Sequence, residues 1–266
     1  MKVAEILLDI TAQRRRAMAG VDDPAPALPA GELAASLLTR VEKPFLGALA
    51  EGPGPAIIAE VKMGSPRLGS LLGRIDPAEQ ARRYVDGGAA ALSVVVEPDF
   101  FHGSYELLET CKRVSGLPAI AKDFVVDDRQ LFWARDAGAD AVLLIAALQG
   151  RDELRRRARL ARRLGLVPLI ETHDRGDVEL LAGEDWELVG VNNRDLRTFE
   201  VDIERSIELL PRLPVAALKV AESGLASGDQ VARLAAAGFR AFLIGESLLL
   251  ADDPVALLAE LRGDRR

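Results

Sequence analysis

From Ala56 onward, short apolar runs alternate with stretches whose apolar positions recur every three or four residues. The first run opens at Ala56 and ends in Glu60 and Lys62 (AIIAEVK). It is followed by 91–97 (ALSVVVE), 118–124 (PAIAKDF), 141–147 (AVLLIAA), 167–172 (VPLIET), 186–193 (WELVGVNN), 217–223 (ALKVAES) and 241–247 (AFLIGES). Near-continuous apolar character is what a strand covered on both faces requires. The stretches between them read as amphipathic helices over 76–88, 104–114, 127–137, 151–164, 174–182, 202–210, 227–237 and 254–261. Boundary signals agree. Asp76-Pro77 and Asp253-Pro254 set a capping carboxylate ahead of a first-turn proline, while Gly138, Gly165 and Gly238 follow helix ends. Strand and helix thus alternate eight times. That order predicts a parallel sheet with helical crossovers, and eight units suffice to close a (β/α)8 TIM barrel, an α/β fold. An open doubly wound sheet is the alternative. Such a sheet would hold a dinucleotide on a Gly-rich turn after its first strand, and Lys62-Met63-Gly64-Ser65-Pro66 is not G-x-G-x-x-G.

Ahead of the first strand, Ile6, Leu7 and Ile10 form a weak apolar stripe that runs into Arg14-Arg15-Arg16. A Pro- and Ala-rich loop over 22–29, a helical segment over 32–38 and a short helical turn over 45–49 follow. Residues 1–50 are therefore expected to form a helical extension capping a barrel over 56–262, with 1–266 a single domain. A disordered tail is the alternative. The triple arginine reads as a solvated helix face.

Strand side chains alternate faces, so Glu60 and Lys62 point the same way, into whatever the sheet encloses. Burying an ion pair at a strand end is costly and gives a purely structural strand little. Seven of the eight runs end in polar groups, and only 141–147 lacks an ionisable end. A barrel of this kind builds its site from strand C-termini and the loops after them. Glu60, Lys62, Glu97, Lys122, Glu171, Asn192, Arg194 and Glu222 would then share one mouth. Three cations facing four carboxylates drive pKa values apart, so that one group donates while another accepts. A second signal follows strands seven and eight, where Ala221-Glu222-Ser223-Gly224 and Ile244-Gly245-Glu246-Ser247 turn on glycine. Those loops, with the short helical run 248–250 behind them, suit a phosphate cradle built from backbone N–H groups. Glu246 is expected to turn its side chain away and offer only its N–H. Plain turns are the alternative.

Composition narrows the class. A formal charge of −7 argues against a nucleic-acid partner. No apolar run approaches the ~18 residues of a membrane span, and Glu5 and Asp9 interrupt the N-terminal stretch that a signal peptide would keep apolar. The one cysteine, Cys111, cannot form an intrachain disulfide and fits a reducing cytoplasm. It reads as a packed residue of a helix rather than a nucleophile. His102 and His173 have no metal-ligand spacing, so no metal is expected. Trp133 and Trp186 read as packing residues. Phe101 stands either as an apolar wall for an aromatic substrate or as an anchor for its own loop.

The longer motifs resemble one family. Ile57-Ile58-Ala59-Glu60-Val61-Lys62 with Ser65-Pro66, Val96-Glu97-Pro98 with Phe101 and Gly103-Ser104, and Ala121-Lys122-Asp123-Phe124 are similar to indole-3-glycerol phosphate synthases. So are 138–145 (GADAVLLI), 190–196 (GVNNRDL) with Thr198-Phe199, 221–224 (AESG) and 242–248 (FLIGESL). The match spans the chain in order, extension included. Val96 stands where the family usually has Thr, and Met63-Gly64 and Arg67-Leu68 replace more typical neighbours. The isomerase domain fused behind this enzyme in some organisms is expected to be absent.

The resemblance implies a substrate, the phosphorylated anilino-sugar 1-(2-carboxyphenylamino)-1-deoxyribulose 5-phosphate, and three events: ring closure, decarboxylation and dehydration. Lys122 matches the general acid that protonates the ketone oxygen, and is expected to have a pKa lowered by a neighbouring cation. Lys62, Asn192 and Arg194 would anchor the substrate carboxylate. Lys62, Glu60 and Glu171 are the candidates for dehydration, and Glu222 would hold a hydroxyl or the amine, with Ser223 beside it against the substrate. Ser65, Gly224, Gly245 and Glu246 would bind the phosphate, and Phe101, Pro66 and Leu196 would clasp the aryl ring. The chemistry needs no redox or metal cofactor. A monomer or weak homo-oligomer is expected. Two related phosphate-binding barrels, phosphoribosylanthranilate isomerase and the tryptophan synthase α subunit, are the rival enzymes, and a non-catalytic phosphosugar-binding scaffold is the rival from another class.

Overall fold

A computed structural model describes residues 5–21, 43–66, 68–195, 198 and 200–264. The loop expected over 22–29, the helix expected over 32–38 and Leu196 lie outside the described residues. Eight parallel strands close a barrel in sequential order: β1 (Ala56–Val61), β2 (Ala91–Val95), β3 (Ala119–Lys122), β4 (Ala141–Ile145), β5 (Val167–Thr172), β6 (Leu188–Asn192), β7 (Leu218–Glu222) and β8 (Ala241–Ile244). The ring closes where Ala56 pairs with Ala241 and Ile58 with Leu243. This matches the expected α/β barrel, and the open sheet is set aside.

The alternation of side chains sorts the strands into two cores. Ile57, Ala59 and Val61 of β1 face outward into a layer shared with Tyr84, Leu108, Leu131, Leu154 and Val231 from the surrounding helices. Ile58, Ile120, Leu143, Leu169, Leu188, Val220 and Leu243 face inward and fill the barrel. Phe45, Leu46 and Leu49 join this inner core from α2 (Pro44–Ala50), the short helix expected ahead of the first strand. Each of those three side chains would lose roughly 1.5–3 kcal/mol of burial if the helix left.

The helices follow the capping signals. Asp76 accepts hydrogen bonds from the N–H groups of Ala78 and Glu79 at the start of α3 (Pro77–Asp86). Asp253 does the same for Val255 and Ala256 at the last helix. Ser104 caps α4 (Tyr105–Ser115), whose buried Cys111 lies with Sγ 3.7 Å from the carbonyl of Pro77. The run 91–97 ends as strand at Val95, because Glu97 folds back onto its own loop.

The N-terminal helix α1 (Glu5–Ala19) lies against the barrel mouth. Leu7, Ile10, Thr11, Arg14 and Met18 recur at helical spacing and are buried. The expectation of a solvated triple arginine holds for Arg15 and Arg16 but fails for Arg14. Arg14 falls on the buried stripe, and its Nη2 lies 2.6 Å from Asp123 Oδ2. Asp123 also accepts from the Tyr105 hydroxyl at 3.1 Å and Gln130 Nε2 at 2.8 Å. Arg129 donates to the carbonyls of Met18 and Val21, both at 2.7 Å, and holds the helix's far end.

Candidate active site

Inward positions below the mouth are apolar, and the last inward position of several strands is not. Lys122 ends β3, Glu171 lies near the end of β5, Asn192 ends β6 and Glu222 ends β7. Glu60 is the last inward residue of β1, and Lys62 follows it on the same side. Lys62 Nζ lies 3.2 Å from Glu60 Oε1 and Lys122 Nζ lies 2.9 Å from Glu60 Oε2. One carboxylate therefore separates two ammonium groups. On its other side, Lys122 Nζ is 4.0 Å from Glu222 Oε2.

Two inward glycines make room for these carboxylates. A Cβ on Gly190 would stand 2.1 Å from Glu222 Oε1, and one on Gly245 would stand 2.3 Å from Glu60 Oε1. Real side chains do not approach so closely, so both positions are kept bare by the charged layer itself. Gly245 was expected to serve an incoming phosphate. In the structure, what crowds its missing side chain is Glu60.

Burial and charge set the protonation states. Burial pushes Glu60 up, but Lys122 and Lys62 outweigh it and bring its pKa down to about 2. Burial pulls Lys122 down, yet Glu60, then Glu222 and Glu171, raise it above the ordinary lysine value. The expected lowering is corrected: the nearest charges to Lys122 are carboxylates, not a cation. Glu222 is fully buried, and burial together with the charge of Glu171 pushes its pKa well up. Burial raises Glu171 too, but His173 and Lys122 bring it down. Neither oxygen of Glu222 has a hydrogen-bond donor if both carboxyls are ionised. Burial and the neighbouring charge of Glu171 thus favour the neutral form at Glu222 rather than at Glu171.

The space above this layer has two lobes that share Glu60, Lys62, Lys122, Arg194, Ser223 and Glu246. One, of about 220 Å³, is walled by Leu7, Ile10, Pro66, Phe101, Phe124 and Ile145. The rings of Phe101 and Phe124 meet at 6.1 Å, so Phe101 lines the mouth as well as its loop. Ser65 and Asn192 lie on this lobe, the side-chain Oδ1 of Asn192 accepting from Arg194 N at 3.0 Å. The other, of about 310 Å³, runs over Gly224, Gly245 and Ser247. Ser223 adopts φ +67 and Gly224 φ +76, a turn that a β-branched residue would resist. Buried Asn193 pins it, donating to the Ser223 carbonyl at 3.1 Å while accepting from Ser206 Oγ at 2.7 Å. Gly245 caps the five-residue helix α10 (Glu246–Leu250) without a side chain of its own, so first-turn N–H groups face this lobe.

Two expected placements change. Glu97 does not reach the mouth. Its carboxylate accepts from the N–H groups of Asp99, Phe100 and Phe101 at 3.0, 2.8 and 3.0 Å, which shapes the loop that presents Phe101. Glu246 does not turn away. It lines both lobes with Oε2 3.9 Å from Arg194 Nη2. Sequence reasoning missed His173, which stands two residues after Glu171 and so falls on the same face. It also missed Gly190, Asn193 and the contribution of α1.

This arrangement has known counterparts. The profile of indole-3-glycerol phosphate synthase matches residues 7–261. The chain belongs to the indole-3-glycerol phosphate synthase family. It is 41% identical over 263 residues to the indole-3-glycerol phosphate synthase of Burkholderia vietnamiensis, covering 97% of this chain and 99% of that protein. It is 45% identical over 210 residues to the one from Koribacter versatilis, covering 79% and 81% respectively. Among solved structures, a thiamine phosphate pyrophosphorylase from Pyrococcus furiosus shares the fold, with a TM-score of 0.58 and 15% identity over 79% of this chain and 94% of that one. Membership of the indole-3-glycerol phosphate synthase family makes the protein a decarboxylating lyase of tryptophan biosynthesis, acting on a small molecule. No helix among the described residues is long and apolar enough to cross a membrane.

Proposed function

We propose that the two lobes hold the two ends of 1-(2-carboxyphenylamino)-1-deoxyribulose 5-phosphate, and that the charged layer between them performs the chemistry. The observation that carries this reading is Lys122, with Nζ 2.9 Å from Glu60 and 4.0 Å from Glu222 at the junction of the lobes. The aryl ring enters the apolar lobe between Phe101, Pro66, Leu7 and Ile10. The phosphate meets the backbone N–H groups around Gly224, Gly245 and Glu246. Ser65 lines the apolar lobe and already accepts from Leu68 N at 3.0 Å, leaving its hydroxyl proton to donate.

Ring closure forms a bond from the carboxyl-bearing aryl carbon to the ketone carbon, and the ketone oxygen takes a proton. Lys122 supplies that proton, held charged by Glu60. The carboxylate, kept in place until then by Lys62, Arg194 and the Asn192 amide, leaves as carbon dioxide and its bonding pair restores the ring. The new hydroxyl then departs as water. Glu171 takes the proton from the carbon beside nitrogen, and Lys62, paired with Glu60, protonates the departing oxygen. Glu222, as a neutral acid, donates a hydrogen bond to a substrate hydroxyl, with Ser223 alongside.

We further read 1–266 as one domain, with α1 belonging to the barrel through the Arg14–Asp123 pair. A cytoplasmic monomer or weak homo-oligomer without a nucleic-acid partner fits the charge of −7 and the lone cysteine. Purified protein mixed with the anilino-ribulose phosphate should develop indole fluorescence and release one carbon dioxide per product. A product that keeps its carboxylate would point instead to an isomerase, and no turnover to a binding scaffold.

A further inference from the structure

His173 follows the end of β5 two residues after Glu171, lines neither lobe and is 4% exposed. Its Nδ1 is 3.3 Å from Asp177 Oδ2, and the same oxygen accepts from the backbone N–H of His173 at 2.8 Å. Asp177 sits in the first turn of α7 (Arg175–Leu180), where its backbone N–H donates to the capping Asp174 at 3.1 Å. The other ring nitrogen, Nε2, points at Glu171 Oε1 from 3.2 Å, close enough for strong attraction but not aligned as a hydrogen bond. Glu171 and Glu222 act on each other electrostatically, and Glu222 Oε2 lies 4.0 Å from Lys122 Nζ. The row runs Asp177, His173, Glu171, Glu222, Lys122, Glu60, Lys62, and all but half-buried Lys122 are buried.

Charges alternate along that row only if His173 is protonated and Glu222 is neutral. We propose that His173, braced by Asp177, is a positioning residue whose cationic ring assigns the single proton of the Glu171–Glu222 pair to Glu222. It touches no substrate in this arrangement and acts through Glu171. This deepens the function proposed above and rests on it for its effect on rate. A neutral residue at 173 would leave two buried carboxyls with only Lys122 to tell them apart. The proton would then spread to Glu171, and the base for the dehydration step would be lost at low and neutral pH.

The groups facing His173 are few. Asp177 comes from α7 and Glu171 from β5, while Lys122 and Glu222 lie beyond Glu171 on β3 and β7. Arg205 of α8 (Glu204–Leu209) donates to the His173 carbonyl at 3.5 Å and pairs with Asp195 at 3.3 Å. Burial pulls the imidazole down, but Asp177 and Glu171 outweigh it and bring it up to about 9.

The chain has two histidines, so ¹⁵N imidazole spectra resolve His173 once H102N identifies the other signal. His102 takes no part in the proposed site. In the unmodified protein His173 should titrate near pH 9, and E171Q or D177N should each lower that midpoint by about one unit or more. A midpoint at or below the ordinary ~6.5 overturns the proposal, whatever the enzyme's activity proves to be. In turnover, H173Q should move the acid limb of kcat upward by about one unit or more. The variant should recover to within a few-fold of the native rate at alkaline pH. A loss equal at every pH would mark His173 as merely structural and sink the idea. Absence of indole from the native protein would refute the function while the spectra still judge His173.

Discussion

Lys122 is the residue on which the chemistry turns, and its surroundings decide how. An ammonium held 2.9 Å from a carboxylate is a charged donor across the whole physiological range, so its proton is available without a lowered pKa. Lys122→Met should cut kcat by ~10²–10⁴-fold, the usual worth of a placed proton donor, with KM changed much less. Steady-state rates at saturating substrate check this, and retention of more than about a tenth of the native rate would remove Lys122 from the role. The bare glycines provide a second test. Gly245→Ala would drive a methyl into the Glu60 carboxylate, and Gly190→Ala would do the same to Glu222. Both variants should fold, as circular dichroism would show, yet lose about 10²-fold or more in kcat because each displaces a carboxyl flanking Lys122. If Gly245→Ala raised only KM for phosphorylated ligands, its role would be confined to the cradle.

At the scale of elements, α1 is anchored by the Arg14–Asp123 pair and, at its far end, by Arg129. Arg14→Ala removes the one cation of a buried pair and leaves Asp123 with the Tyr105 hydroxyl, the Gln130 amide and the N–H of Phe124. The helix should loosen and take Leu7 and Ile10 off the apolar lobe. Losing those contacts is worth about 1–3 kcal/mol of ligand binding, so KM should rise about 10- to 100-fold. Hydrogen exchange should show faster opening in 7–19 while the barrel strands keep their protection. Equal loss of protection in the strands would mean that α1 is integral to the barrel core.

Much of this was legible beforehand, for a physical reason. Period-two alternation in β1 places Glu60 and Lys62 on the face of Ile58, and the same parity places Glu171 and Glu222 with their strands' inner residues. What alternation cannot show is where a side chain goes once the strand has ended. Glu97 stands beyond β2 and is taken by its own loop's N–H groups, and Glu246 opens a helix and is drawn toward Arg194. The state of Lys122 depends on through-space neighbours from three strands. The pairing of Arg14 with Asp123 joins segments 109 residues apart, and nothing local marks it.

At the scale of the whole molecule, the buried carboxylates of the described site are engaged by protein cations or, at Glu97, by backbone N–H groups. Glu60 is taken by two lysines, Glu171 by His173, and Asp177 by the same ring. Among the described residues no three His, Cys, Asp or Glu side chains gather as a metal site would require. Activity should therefore survive exhaustive chelation within the error of the assay, and stimulation by one added divalent ion would contradict that reading.

The position of Cys111 has a practical corollary. The chain's one thiol lies fully buried under α3, and burial pushes it up to about 12, so it is almost entirely unreactive toward thiol reagents near neutral pH. The protein thus offers a blank background for site-directed labelling. A cysteine introduced at exposed Arg15, and a second at exposed Asp99 on the loop after β2, would carry a fluorophore pair with no competing attachment point. The separation of helix and rim during turnover then becomes an optical signal, read from the native fold without removing any natural residue that shapes the site.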